Sequence, residues 1–130
     1  TTPGAKEAAV GTFMTLMAND CYDKKEQQTF HEGIKKLDDA CQKANSTSFM
    51  KATPEQRTSL LTALDKEAKE QAKSKGKDDA NHYFTMMKQL TLFGFFTSKP
   101  GATEVLRHEA VPGRYDGALP YKKGDRAWAE

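Results

Sequence analysis

The 130-residue chain has little of what most specialised functions require. It carries only two cysteines, Cys21 and Cys41, too few for a disulfide framework. Basic and acidic side chains nearly balance, 20 against 18, and no third of the chain departs far from neutrality. A nucleic-acid partner would want a basic face or stripe, so none is expected. No apolar run approaches the roughly 18 residues that cross a bilayer, which excludes a transmembrane segment of its own. Three histidines, His31, His82 and His108, stand far apart, and no HExxH, CxxC or CxxCH pattern occurs. Gly76-Lys77 lacks the earlier glycine of a phosphate-binding loop, and no strand–turn–helix elbow surrounds any serine. His82 and Met86 lie four apart on one helix and project from the same side, so they cannot ligate opposite faces of a haem iron. The expectation is a chain with no catalytic, cofactor-binding or metal-ligating residues.

What is present is helical periodicity. Val10, Met14, Met17 and Cys21 make one stripe, predicting a first helix over about Lys6–Asp20. Asp23 with Glu26 three residues on is a capping box, opening a second helix striped by Phe30, Ile34, Leu37 and Cys41. Thr53-Pro54-Glu55-Gln56 is the clearest start: a hydroxyl cap, proline at the first helical position and glutamine at the third. Leu60, Leu61, Leu64 and Ala68 face inward on this third helix, until the solvated stretch Lys73–Lys77 ends it. On consecutive antiparallel helices Cys21 and Cys41 would be roughly 25–30 Å apart at about 1.5 Å per residue. A disulfide needs Cα atoms within about 7 Å, so both thiols are expected reduced and partly buried. Asn45-Ser46-Thr47 fits a glycosylation acceptor and a turn equally well.

A fourth helix is predicted over about Asp79–Thr97. Tyr83, Met86, Met87, Leu90 and Phe93 share one face; Phe84, Leu92, Phe95 and Phe96 lie on the other. A helix apolar on two faces is buried on two faces. Either it is central to the domain or the face near Phe95 and Phe96 meets a partner, and the two can hold together. A short fifth helix is expected over Ala102–Arg107. Beyond it, Pro112, Gly113, Gly117, Pro120 and Gly124 punctuate a tail that keeps Tyr115, Tyr121 and Trp128. Disordered tails seldom retain large aromatics. An all-α fold follows: a four-to-five-helix bundle over about residues 6–107, with an ordered, irregular Gly/Pro-rich tail over about 108–130, in a single domain.

Several stretches resemble one family. Pro3-Gly4-Ala5, Leu16-Met17 with Asp20-Cys21-Tyr22, Thr53-Pro54-Glu55-Gln56 with Leu60–Asp65, and Lys88–Ser98 are similar to the gluconate 2-dehydrogenase subunit 3 family. The most specific elements are Gly101-Ala102-Thr103, Pro112-Gly113-Arg114-Tyr115-Asp116-Gly117 and the Arg126-Ala127-Trp128 ending. The resemblance implies a non-catalytic accessory subunit that binds, stabilises and helps export a large dehydrogenase. That partner would be of the FAD-dependent glucose–methanol–choline type, oxidising sugars, glycosides or gluconate. FAD and catalysis would reside in the partner, with a cytochrome c subunit or another acceptor taking the electrons. It further implies a periplasmic location and a twin-arginine leader. The chain opens Thr1-Thr2-Pro3 without methionine, as a start just after a leader region would. The competing reading is a small helical electron-transfer or cofactor-binding protein of the same oxidoreductase system.

Anchors of permanent interfaces are enriched in Tyr, Trp and Arg. The candidate contacts are therefore Phe95, Phe96, Arg114, Tyr115, Tyr121 and Trp128. For Tyr115 and Trp128, packing of the tail on its own domain is an equal alternative.

Overall fold

A computed structural model describes residues 2–76, 79–111 and 113–129. The fold is all-α: α1 (Val10–Asp20), α2 (Lys24–Asn45), α3 (Pro54–Ser74) and α4 (Tyr83–Phe96), followed by a π-helical turn over Gly101–Val105. Two short strands, β1 (Arg107–His108) and β2 (Trp128–Ala129), pair in parallel near the end of the chain. By contact the chain divides into two compact units, Leu16–Gln89 and a second made of Thr1–Thr15 with Leu90–Glu130.

In the first unit both expected capping boxes are present. Asp23 accepts from the Glu26 N–H at 2.8 Å while the Glu26 carboxylate accepts from the Asp23 N–H at 3.1 Å. Thr53 and Gln56 repeat the exchange at the head of α3, with Pro54 at the first helical position. These reciprocal bonds satisfy N–H groups that a helix start leaves without partners. Helix α2 ends at Ser46, whose φ of 54° is left-handed, so Asn45-Ser46-Thr47 lies at a turn. The connection to α3 is tied down from both sides. Asp38 of α2 accepts from the Phe49 N–H, and the Arg57 guanidinium of α3 donates to the Phe49 and Met50 carbonyls. Ala18, Phe30, Cys41, Ala52, Leu64, Ala68 and Met86 form the buried core of this unit.

Several boundaries differ from expectation. Helix α1 starts at Val10 because Ala9 has a left-handed φ of 52°, leaving residues 5–9 as turns. Helix α4 starts at Tyr83. The preceding His82 accepts the Phe84 N–H on Nδ1, while Asp79 turns back to accept from the Gly76 N–H. Lys77 and Asp78 of the predicted loop lie outside the described residues. On α2 the buried stripe runs Phe30–Gly33–Cys41; Leu37 is half-buried, and Ile34 is exposed. Leu64 and Ala68 are buried on α3, with Leu60 and Leu61 half-buried. Both cysteines are free; Cys41 is buried but Cys21, at the end of α1, is exposed.

In the second unit Val10 and Leu90 are buried, and Gly94 of α4 meets the Phe13 ring. Phe13 and Phe93 pack edge to face with centroids 5.5 Å apart. The fifth helix is a π turn closed by Leu106 N–H to the Gly101 carbonyl at 2.8 Å. Gly101 sits so close to the Phe95 carbonyl that a side chain would not fit between them. The chain leaves this turn extended at Leu106, five residues after it began, so Arg107 belongs to β1 rather than to a helix.

Candidate protein–protein interface

Helix α4 is buried along Met86, Leu90 and Gly94, one side of the helix at 100° per residue. Leu92 and Phe96 face out, 48% and 39% exposed, and so does Phe93 at 52%. The reading of α4 as buried on both faces within the domain is thereby corrected; the alternative, a face near Phe95 and Phe96 left open, matches this exposure. Gly94 has no side chain to hold α4 away from Phe13, so contact concentrates there and the opposite arc stays open. Phe95 is half-buried and stacks edge to face on Phe96 at 5.3 Å.

The tail has a defined neck. Arg107 and Glu109 donate their N–H groups to the Ala127 and Ala129 carbonyls at 2.8 and 3.0 Å. The Arg107 guanidinium lies 4.2 Å from the centroid of the Trp128 ring. Arg126 Nη1 donates to the carbonyls of Thr103, Glu104 and Leu106, at 3.2, 2.9 and 3.2 Å. These acceptors close the C-terminal end of the π turn, where helical carbonyls run out of internal partners.

Between the two sides of the neck, every described residue is exposed. A cavity of about 530 Å³ opens there, and Arg114, Tyr115, Tyr121 and Trp128 all line it. Four of the six candidate residues thus come together, while Phe95 and Phe96 lie apart on α4 and do not line the cavity. Tyr115 is 96% exposed and Tyr121 74%; Arg114 is free enough to reach Asp116 only at 3.7 Å. Trp128, at 42%, is both a neck residue beneath Arg107 and a wall of the cavity. Pro112, part of the candidate motif, lies outside the described residues. Missed from the sequence were Phe93 as an outward residue and Arg107 and Arg126 as the neck. Two arginines placed next to Trp128 and at the end of the preceding turn were the available signal.

Reactive groups have local structural places. His82 Nε2 stands 3.5 Å from the Glu67 carboxylate while Nδ1 caps α4. His31 packs edge to face with Phe30, and His108 Nδ1 lies 3.2 Å from the Ala129 carbonyl. Burial, reinforced by a nearby glutamate, raises the Tyr22 and Tyr83 hydroxyls above the usual tyrosine range. Among the described residues no three His, Cys, Asp or Glu side chains converge as a metal site, and no helix is long and apolar enough to cross a membrane.

No curated protein and no solved structure gives a significant match to the chain. The family model described as gluconate 2-dehydrogenase subunit 3 matches residues 1–113 of the 130, so residues 114–130, with Arg114, Tyr115, Tyr121 and Trp128, lie beyond the match. The chain therefore belongs to the gluconate 2-dehydrogenase subunit 3 family, and with it to the subunits of a dehydrogenase complex.

Proposed function

We infer that this chain is a non-catalytic accessory subunit that binds and stabilises a large FAD-dependent dehydrogenase of the glucose–methanol–choline type. The observation that carries the reading is the outward placement of large apolar side chains in two places. Leu92, Phe93 and Phe96 stand out from α4, and Tyr115, Leu119 and Tyr121 from the tail. Permanent interfaces are more apolar than transient ones and often exceed roughly 2,000 Å² in total. Exposed apolar groups gathered on one element are the informative departure from an ordinary surface. Membership of a gluconate 2-dehydrogenase subunit family supports a partner within a dehydrogenase complex.

The same proposal assigns FAD and the reacting residues to the large subunit, with onward electron transfer to a cytochrome c or another acceptor. It includes export of the complex to the periplasm with the help of this subunit. The test is size-exclusion chromatography of the purified chain mixed with a purified FAD-dependent dehydrogenase subunit of the same complex. Co-elution is expected, with sugar or gluconate oxidation in the large subunit and no turnover or visible absorption from this chain alone. Separate elution, or turnover by the isolated chain, contradicts it.

A further inference from the structure

The head of α4 is held by a histidine in a role that only its neutral form can fill. His82 precedes the first helical residue, and its carbonyl accepts the Met86 N–H at 3.3 Å, the bond that opens the helix. Its Nδ1 accepts the Phe84 N–H at 3.2 Å, as an Asp or Ser oxygen does at an ordinary helix start. An accepting Nδ1 carries no proton, so the ring's one N–H is on Nε2, which stands 3.5 Å from the Glu67 carboxylate of α3. The imidazole is thus engaged at both nitrogens, with its side chain only 10% exposed. Helices α2 and α3 start on Asp23 and Thr53 instead. Histidine is the side chain type whose charge ordinarily changes within about pH 5 to 8.

We propose that His82 makes the first turn of α4 acid-sensitive. A proton on Nδ1 replaces the acceptor of the cap with a donor, releases the Phe84 N–H and loosens the helix start where Tyr83 packs on Gly33 of α2.

The surroundings decide whether the cap can survive that proton. Among the described residues, Glu67 is the charged group in contact with the ring. Its carboxylate offers a counter-charge at Nε2, but an ion pair there leaves the new N–H on Nδ1 facing the Phe84 N–H, donor against donor. Glu67 therefore helps the ring to charge in place without restoring the cap. The positive end of the helix dipole adds a further repulsion to a cation at this position. Lys75 and Asp79, on the connection before α4, are taken up by Asn81 and by the Gly76 N–H. The Tyr83 ring lies 4.5 Å from the imidazole, and its hydroxyl stays protonated over the same range, since burial and then Glu67 hold it above the usual tyrosine range. Farther along α4, Lys88 is tied to Asp65 of α3, so the loosening is confined to the first turn.

Hydrogen exchange of the Phe84 amide in the full chain tests this, expressed as a protection factor so that the pH dependence of the intrinsic rate divides out. Between about pH 8 and about pH 5 the protection should fall by about tenfold, the order of one capping bond, while that of the Lys88 amide holds. His82→Asn supplies a capping acceptor that does not titrate, and should keep the Phe84 amide equally protected at both ends of the range. Nitrogen chemical shifts of the wild-type ring should report the Nε2–H tautomer at about pH 8. Equal wild-type protection at both ends overturns the proposal. So does a fall of the same size in His82→Asn, or an Nδ1–H tautomer at about pH 8.

Discussion

Gly33 of α2 lies against Tyr83 of α4 so closely that a Cβ added to the glycine would sit 2.6 Å from the tyrosine Cβ. Two helices distant in sequence therefore meet at a hydrogen atom. Neither element can yield cheaply, because the nearest atoms are at the root of the tyrosine side chain rather than its tip. Gly33→Ala should destabilise the fold by about 1–3 kcal/mol, the usual cost of overpacking, despite the better helix propensity of alanine. Chemical denaturation of the variant checks this; unchanged stability would mean that the two helices separate freely.

Removing the hydroxyl in Thr53→Ala should cost about 1 kcal/mol, since the Gln56 N–H loses its acceptor. Thr53→Ser should restore most of it. Urea midpoints of the two variants make the comparison, and equal losses would assign the effect to the threonine methyl instead.

Asp65 accepts from Lys69 within α3 and from Lys88 of α4. Hydrogen bonds from Lys69 and then Lys88 hold its carboxyl below the usual aspartate range. A depressed folded value means the contribution is present above the unfolded pKa of about 3.9 and is lost as pH falls through the folded value. Melting temperature should therefore fall over that acid window in the wild type, and less steeply in Asp65→Asn. Parallel acid limbs for the two proteins would contradict the assignment.

Trp128→Ala removes a partly exposed cation–π contact with Arg107, worth about 0.5–1 kcal/mol. Thermal stability should change little, while binding to the dehydrogenase subunit should weaken more, because the same ring walls the cavity. A pull-down beside a melting curve separates the two effects. A large loss of melting temperature with binding retained would make Trp128 a purely internal residue.

Local chemistry made much of the fold legible. The Asp23–Glu26 and Thr53–Gln56 boxes announce their helices because capping depends on residues three apart. The glycine contacts were hidden, since hydropathy scores glycine as neither core nor surface. Hydropathy thus carries the α2 stripe through Ile34, which is exposed, whereas the buried stripe runs through Gly33. Phe93 packs edge to face on Phe13 yet stays half exposed, because Gly94 beside it lets the Phe13 ring lie against the helix itself. In the tail the aromatics indicated order, but not its source. Arg126 reaches backbone carbonyls about twenty positions away, and a carbonyl leaves no mark in a sequence pattern.

The most direct test is the soluble yield of the FAD-dependent dehydrogenase subunit, expressed with and without this chain under otherwise identical conditions. A subunit that shields apolar surface should raise the yield of folded, flavin-loaded enzyme several-fold and co-purify with it. An equal yield of active enzyme in its absence would contradict the account.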